Sequence, residues 1–277
     1  MLVNSKEILQ EAKKGRYAVP GPNFVDLDSA RVFVQVAQKM KRPVILSFAQ
    51  VLKDIISLEE AAVIGKLLAE NAEVPVVLHL DHGEDVEYVK RAVDAGFTSV
   101  MIDASQCSFE ENVRITKEVA IYAHERNVTV EAEIGHVGQG SNYKDYEHSD
   151  SVYTTAEEAM AFAEQTGVDS LAVSIGTAHG VYKDVSPVLN FERLHEISDK
   201  LPIPLVLHGG SGSGDDNLHR CAAEGISKIN IFTDFLLAGM DGIREEQPKD
   251  YLALKKAVNA KMGSVLEHYY HIFSGDK

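Results

Sequence analysis

The chain has 277 residues, 45% hydrophobic and 25% charged, a balance that supplies a large core and excludes a disordered polymer. Its formal net charge of −15 argues against a nucleic-acid-binding surface, so any bound phosphate must be held by directed N–H groups or a metal. Two cysteines, Cys107 and Cys221, are too few for a disulfide framework, and neither the stretch from Met1 to Lys14 nor any other run approaches the ~18 apolar residues of a membrane span, so a cytoplasmic protein without membrane attachment is expected.

Short β-branched runs alternate with longer helical stretches, which predicts parallel strands joined by crossover helices. A first strand at Tyr17–Val19 is followed by a helix over Ser29–Lys41. Then come Val44–Phe48 with Leu58–Asn71, Val76–Leu80 with Val86–Gly96, and Ser99–Ile102 with Phe109–Arg126. Thr129–Ala132 leads into the irregular stretch Gly135–Tyr153, rich in Gly, Ser, Asn, Tyr and Asp, and then a helix over Thr155–Gly167; loops this long in compact domains are usually lids or binding loops. Ser170–Ser174 precedes Phe191–Lys200, Leu205–Leu207 precedes Asp216–Gly225, and Lys228–Ile231 is the eighth strand. Gly96, Gly167 and Gly225 fall where a left-handed residue would end a helix. Strands such as Val76–Val77–Leu78 are apolar without alternation, as expected for a parallel sheet covered on both faces. Eight such units predict an α/β fold, a (β/α)8 TIM barrel forming one catalytic domain over residues 1–277, with 245–277 a C-terminal helical extension. An open doubly wound sheet is the alternative, because periodicity does not report closure.

In such barrels the reacting groups stand at the C-terminal ends of the strands. The third strand ends in His79-Leu80-Asp81-His82-Gly83, the fourth in Asp103-Ala104-Ser105, and the fifth in Glu131-Ala132-Glu133. The sixth is followed by Gly176-Thr177-Ala178-His179-Gly180, the seventh by His208-Gly209-Gly210-Ser211-Gly212, and the eighth ends in Asn230-Ile231-Phe232-Thr233-Asp234. A single histidine after a strand is more often a hydrogen-bonded structural residue than a ligand. Histidines after strands three, six and seven shift the balance, since three imidazoles with one open position make a catalytic zinc set. Asp81 is a candidate for proton exchange with a substrate hydroxyl, or a carboxylate orienting a histidine ligand. Asp103 and Glu133 are candidates for an outer carboxylate, an alternative metal position or a salt-bridge partner. His124, His148, His195, His219, His268 and His271 show no such constellation, and His136, at the start of the long loop, is left open. The run His208–Gly214 lacks side chains that would keep an anion from the backbone N–H groups, and loops after strands seven and eight habitually bind phosphate in this fold.

These motifs resemble the class II ketose-bisphosphate aldolases, which include fructose- and tagatose-bisphosphate aldolases. The resemblance runs from Tyr17-Ala18-Val19 to about Asp234 and is most specific at His79–His82, Met101-Ile102-Asp103, Val130–Gly135, Gly167–Val173, Gly176–Gly180 and Leu207–Gly212. It implies His82, His179 and His208 as ligands of one catalytic Zn2+, with Glu133 and Asp103 lining a second metal position and Asp81 donating the proton to the hydroxyl made or broken with the carbon–carbon bond. Asn23, Gly180, Gly209, Gly210, Ser211, Asn230, Ile231, Phe232 and Thr233 are implied around the dihydroxyacetone phosphate half, with a monovalent cation (Na+ or K+) near the phosphate. The implied reaction is reversible cleavage of a phosphorylated ketose, such as fructose or tagatose 1,6-bisphosphate, to dihydroxyacetone phosphate and an aldehyde through a metal-stabilised enediolate. A homodimer or homotetramer is implied as well.

Three stretches depart from that family. The loop after the fifth strand reads Gly138-Gln139-Gly140-Ser141-Asn142 where an acid is usual, with acids only later at Asp145 and Glu147. Near the C-terminus, Gln247-Pro248-Lys249-Asp250 stands where an arginine usually grips the second phosphate, and Lys249 or Lys255 is only a partial substitute for a planar guanidinium fork. The first loop, Pro20-Gly21-Pro22-Asn23, is stiffer than usual. Two other readings compete: another metal-dependent barrel enzyme, or a non-catalytic aldolase partner subunit. Keeping Asp81 and all three histidines argues against the last.

Overall fold

The helices begin where short polar side chains satisfy the free N–H groups of a first turn. Asp26 and Ser29, Ser57 and Glu60, and Thr155 and Glu158 each form a reciprocal capping box, and Asp85, Ser108, Asn190 and Asp250 cap singly. Gly96 and Gly167 end their helices in the left-handed region as expected. Gly225 does not adopt that cap: its φ is 143°, and a Cβ there would lie 2.4 Å from Ser198 Oγ. Its positive φ and this close packing both require glycine at this position.

The computed structural model describes residues 1–135, 138–139, 154–180 and 187–274. The strands are β1 (Val19–Pro22), β2 (Val44–Ala49), β3 (Val76–Gly83), β4 (Ser99–Ile102), β5 (Thr129–Ile134), β6 (Gly138–Gln139), β7 (Ser170–Val173), β8 (Ala178–His179), β9 (Leu205–Leu207) and β10 (Ile226–Ile231). The helices are α1 (Lys6–Gly15), α2 (Leu27–Met40), α3 (Leu58–Glu70), α4 (Val86–Ala95), α5 (Phe109–His124), α6 (Ala156–Thr166), α7 (Phe191–Lys200), α8 (Asp215–Glu224), α9 (Thr233–Glu246) and α10 (Tyr251–Ile272). Eight strands pair in parallel in the order β1-β10-β9-β7-β5-β4-β3-β2. The last seam, between β1 and β2, is joined by a parallel bridge from Asn23 to Ser47, with the Phe24 N–H donating to the Ser47 carbonyl at 3.0 Å. The chain is therefore a (β/α)8 barrel, and the open sheet is ruled out. β6 and β8 pair in parallel as a separate two-stranded sheet.

Two helices were not anticipated. α9 follows β10 directly and is the helix of the eighth unit. α1 precedes the barrel, and its Ile8, Leu9 and Ala12 pack against Val19, Ile45 and Val77, sealing the floor beneath β1, β2 and β3. At the other end of the chain, α10 lies against α2 and α9, and the Tyr270 hydroxyl donates to the Pro43 carbonyl at 2.9 Å. The terminal helix thus covers its own barrel.

Strand alternation sorts the side chains. Val76, Leu78 and Leu80 of β3, Val130 and Ala132 of β5, and Ile229 and Ile231 of β10 join the large apolar layer between sheet and helices. The alternate residues face the barrel axis, so inward positions run Val77, His79, Asp81 on β3, Thr129, Glu131, Glu133 on β5, and Lys228, Asn230 on β10. These polar side chains are all under 10% exposed. An apolar floor therefore gives way, one layer up, to a polar interior leading to the mouth.

Candidate active site

Asp81 sits at the mouth in inward register, 4% exposed, with both oxygens occupied. Asn23 Nδ2 donates to Oδ2 at 2.8 Å, and Asn230 Nδ2 donates to Oδ1 at 2.7 Å. Burial by itself would raise the acid's pKa, but nearby His82, His208 and Lys228 and the Asn23 amide outweigh it, and the pKa falls to about 2. Asp81 is thus an anion pinned by amides from β10 and from the residue after β1. Asn230 Oδ1 has no hydrogen-bond partner among the described residues and lies 2.9 Å from where a Cβ on Gly21 would be.

His82 would by alternation point outward, away from Asp81. Its φ of 46° places it in the left-handed region, and the pairing of β3 with β4 slips between Leu80 and Gly83. This kink turns the imidazole back over the mouth, so neighbouring residues Asp81 and His82 serve one site. His82 Nδ1 meets Asp103 Oδ2 at 2.9 Å, and Asp103 Oδ1 accepts from the backbone N–H and the hydroxyl of Ser105, at 3.1 and 2.7 Å. Desolvation opposes charge on His82, but Asp81, Asp103 and Glu133 outweigh it and raise its pKa to about 9. Burial opposes the Asp103 charge too, and the bonds from His82 and Ser105 hold its pKa well below the usual range.

His208 follows β9 and is 1% exposed. Its Nδ1 lies 2.8 Å from His82 Nε2, with the rings edge to face at 78°. Two groups that share His82 have ligand atoms close enough to hold an ion: Asp81, His82 and His208, and His82, Asp103 and Glu133, each set within 4.8 Å. Imidazole nitrogens mixed with carboxylate oxygens in a largely buried pocket form a donor set that fits a divalent transition metal. Glu133 is 2% exposed, and its carbonyl accepts from Asn112 Nδ2 of α5 at 2.9 Å. His179 lies in β8, paired in register with Gln139. Its side chain, residues 136–137, 140–153 and 181–186, and with them His136, His148, Gly140, Ser141, Asn142, Asp145 and Glu147, lie outside the described residues.

The glycine-rich loop is tightly built. A Cβ on Gly209 would be 2.5 Å from the Ala178 carbonyl oxygen, and one on Gly210 would be 2.8 Å from the Asn230 carbonyl. Gly210 N–H donates to that same carbonyl at 3.2 Å. Ser211 Oγ accepts from the N–H groups of Phe232 and Asp234, at 3.1 and 3.3 Å, at the start of α9, whose N-cap Phe232 offers no polar side chain. Asp234 returns the contact, accepting from Gly212 N–H at 3.1 Å and from the Tyr269 hydroxyl of α10. Thr233 opens α9, and Gly180, at φ 95°, has no neighbour among the described residues within 4 Å of where a Cβ would be. Ile231 belongs to the apolar layer, so only its backbone faces this region. Lys255, considered above for a phosphate, is engaged by Asp28 of α2.

Three residues of the barrel interior were quoted or passed over in the sequence without a role: His79, Glu131 and Lys228. Lys228 Nζ donates to Glu131 Oε2 at 2.7 Å and to His79 Nε2 at 3.0 Å, and Glu131 Oε1 meets His208 Nε2 at 3.0 Å. Their signal was a charged or ionisable residue within a fully buried stretch of strand, two positions below a mouth residue.

A family model for class-II fructose-bisphosphate aldolase matches residues 3–277. The fructose-bisphosphate aldolase of Geobacillus stearothermophilus is 41% identical over 256 residues, covering 90% of this chain and 87% of that protein. The D-tagatose-1,6-bisphosphate aldolase subunit GatY of Klebsiella oxytoca is 35% identical over 279 residues, covering 98% and 97%. Among solved structures, the YdjI aldolase of Escherichia coli K12 superposes with a TM-score of 0.90 at 34% identity, covering 100% of this chain and 98% of that one. With the histidine and carboxylate cluster at the mouth of its barrel, the chain belongs to the metal-dependent class II fructose-bisphosphate aldolase family and is an aldehyde-lyase.

Proposed function

We propose that this chain is a zinc-dependent aldolase that reversibly splits a phosphorylated ketose, fructose or tagatose 1,6-bisphosphate or a related ketose 1-phosphate, into dihydroxyacetone phosphate and an aldehyde. The observation that carries the reading is the convergence of Asp81, His82 and His208 beside the Gly209–Gly212 loop and the start of α9. His82, His208 and His179 would hold zinc, with Asp103 and Glu133 lining a second position, and the ion would supply a Lewis acid for the substrate ketone.

The chain's own residues account for the proton and the positioning. In cleavage the C4 hydroxyl proton passes to Asp81 as that oxygen becomes the aldehyde carbonyl, and the C3–C4 bond breaks with its electron pair left on C3 as an enediolate. The enediolate then takes a proton from solvent at C3 to give dihydroxyacetone phosphate, while Asp81 returns its proton to solvent. Condensation reverses these steps. Asp81 is deprotonated across the neutral range and hydrogen-bonded on both oxygens, so it is oriented before substrate arrives. Asn23 and Asn230, which hold it, are placed to exchange one of those bonds for a substrate hydroxyl. Gly180, Gly209, Gly210, Ser211 and the backbone of Ile231, Phe232 and Thr233 would take the phosphate at the N-terminal end of α9, with a monovalent cation nearby, gripping a part of the substrate that does not react. The whole of 1–277 acts as one catalytic domain, 245–277 being its helical extension, in a cytoplasmic homodimer or homotetramer.

The test is exchange of the prochiral C3 proton of dihydroxyacetone phosphate, followed by NMR with and without zinc, in the wild type and in His208→Ala. Zinc-dependent exchange that disappears in His208→Ala supports the aldolase half-reaction and leaves the aldehyde to be screened. Absence of exchange from the zinc-loaded wild type would sink the reading. Exchange appearing only on adding a second protein would favour a subunit role like the one the Klebsiella relative's name records.

A further inference from the structure

Lys228 is the most deeply buried cation described in the chain, 1% exposed on the barrel axis. A lysine inside a barrel suggests a Schiff-base nucleophile, but its surroundings point elsewhere. The ammonium is committed to Glu131 Oε2 at 2.7 Å and His79 Nε2 at 3.0 Å, and its Cε lies 3.3 Å from where a Cβ on Gly21 would be. The absence of a side chain at Gly21 is what leaves room for the lysine stem.

The hydrogen-bond roles can be solved from the inside outward. An ammonium only donates, so His79 Nε2 accepts, and its Nδ1 carries the proton shared with Ser99 Oγ at 2.9 Å. A carboxylate paired with that ammonium only accepts, so the proton between Glu131 Oε1 and His208 lies on His208 Nε2. In the neutral ring, the form that binds a metal, His208 Nδ1 then presents its lone pair to the mouth, on the side where His82 Nε2 lies 2.8 Å away. Each assignment forces the next, because every link except the last is 2% exposed or less and offers no competing water.

We propose that Lys228 and Glu131 are positioning residues for the metal set: the lysine anchors one oxygen of Glu131, and the other oxygen fixes the ring angle and tautomer of His208, so that Nδ1 is its metal-binding atom. The inference rests on the reading of His208 as a metal ligand. Neither residue touches substrate, and both act through His208. Carboxylates behind ligand histidines typically contribute 10- to 100-fold in metal affinity.

The experiment measures the zinc dissociation constant of the full-length chain by competition with a chromophoric chelator, for wild type, His208→Ala and the double variant Glu131→Leu/Lys228→Met. The double variant removes both charges together, so no uncompensated ion remains in the core. The expected result is a folded double variant with zinc affinity weaker by about 10- to 100-fold. A folded double variant with wild-type affinity overturns the proposal and leaves the metal reading intact. A wild type that does not bind zinc, or a His208→Ala variant that binds as tightly as wild type, overturns the metal reading and this proposal with it. A second measurement needs no variant: 15N spectra of histidine-labelled, zinc-loaded protein. The proton of His208 must sit on Nε2, and finding it on Nδ1 overturns the proposal whether or not the double variant folds.

Discussion

Two histidines at the mouth lean on a carboxylate at nearly equal distance, His82 on Asp103 at 2.9 Å and His208 on Glu131 at 3.0 Å, yet the two supports are built differently. The first pair is 23% and 19% exposed, the second 1% and 2%. Behind Asp103 stands a neutral residue, Ser105, whereas behind Glu131 stands a full charge, Lys228. Where water reaches, a hydroxyl and a backbone N–H suffice to settle a carboxylate. In the drier interior, Glu131 has a full countercharge directly on its second oxygen, whereas Asp81, likewise buried, is held by the amides of Asn23 and Asn230.

The strongest way to break this contrast is Lys228→Met alone, which strands Glu131 in the core. It is expected to cost about 3–5 kcal/mol in urea unfolding of the metal-free protein, while Glu131→Leu/Lys228→Met stays close to wild type. If the single variant is as stable as the double, the interior is wetter than its burial implies. Asp103→Asn, at the better-hydrated support, should cost about 1 kcal/mol and should weaken zinc binding without unfolding the chain.

A pH series sharpens the same comparison. The pKa of His82 is raised from 6.5 to about 9 in the folded, metal-free chain. Its contribution is therefore complete below about 6.5 and is lost as pH climbs through about 9. Urea midpoints of the metal-free protein should fall across that window, and less so in Asp103→Asn; parallel curves would assign the alkaline loss to another group. The smallest effect belongs to a third kind of pair. His195 meets Glu224 at 2.9 Å, but its side chain is 53% exposed, and His195→Ala should shift stability by under about 0.5 kcal/mol.

These contrasts also mark what the sequence made legible. Seven of the barrel strands, seven of the barrel helices and the polar clusters after strands three, four, five, seven and eight could be read directly, because buried parallel strands are apolar runs and their ends carry the chemistry. The first strand was misplaced: the reading Tyr17–Val19 meets β1 (Val19–Pro22) only at Val19, and Pro20-Gly21-Pro22, read as a loop, is strand, because two prolines and a glycine are the residues least suited to a central strand. α9 was obscured because Leu236, Leu237 and Met240 lie on its exposed side and blur the apolar stripe that Phe235 and Ala238 mark. Closure of the barrel depended on a bridge from Asn23 to Ser47, a pairing without local sequence signal. The link from Lys228 to Glu131 joins residues 97 positions apart and becomes visible only when inward register is counted across strands. Simple alternation would put Asp81 and His82 on opposite faces, and the slip in strand pairing that brings both over the mouth has no local sequence signal.

That slip has a consequence for how the chain can change. A left-handed backbone is costly for a residue with a Cβ and nearly free for glycine, so at position 82 the backbone and the imidazole make opposite demands. Selection for thermal endurance alone would drift this site toward glycine and lose a histidine from the mouth. A lineage that keeps His82 carries a small permanent debt of conformational strain, and a stability-guided redesign of this barrel should leave that position untouched.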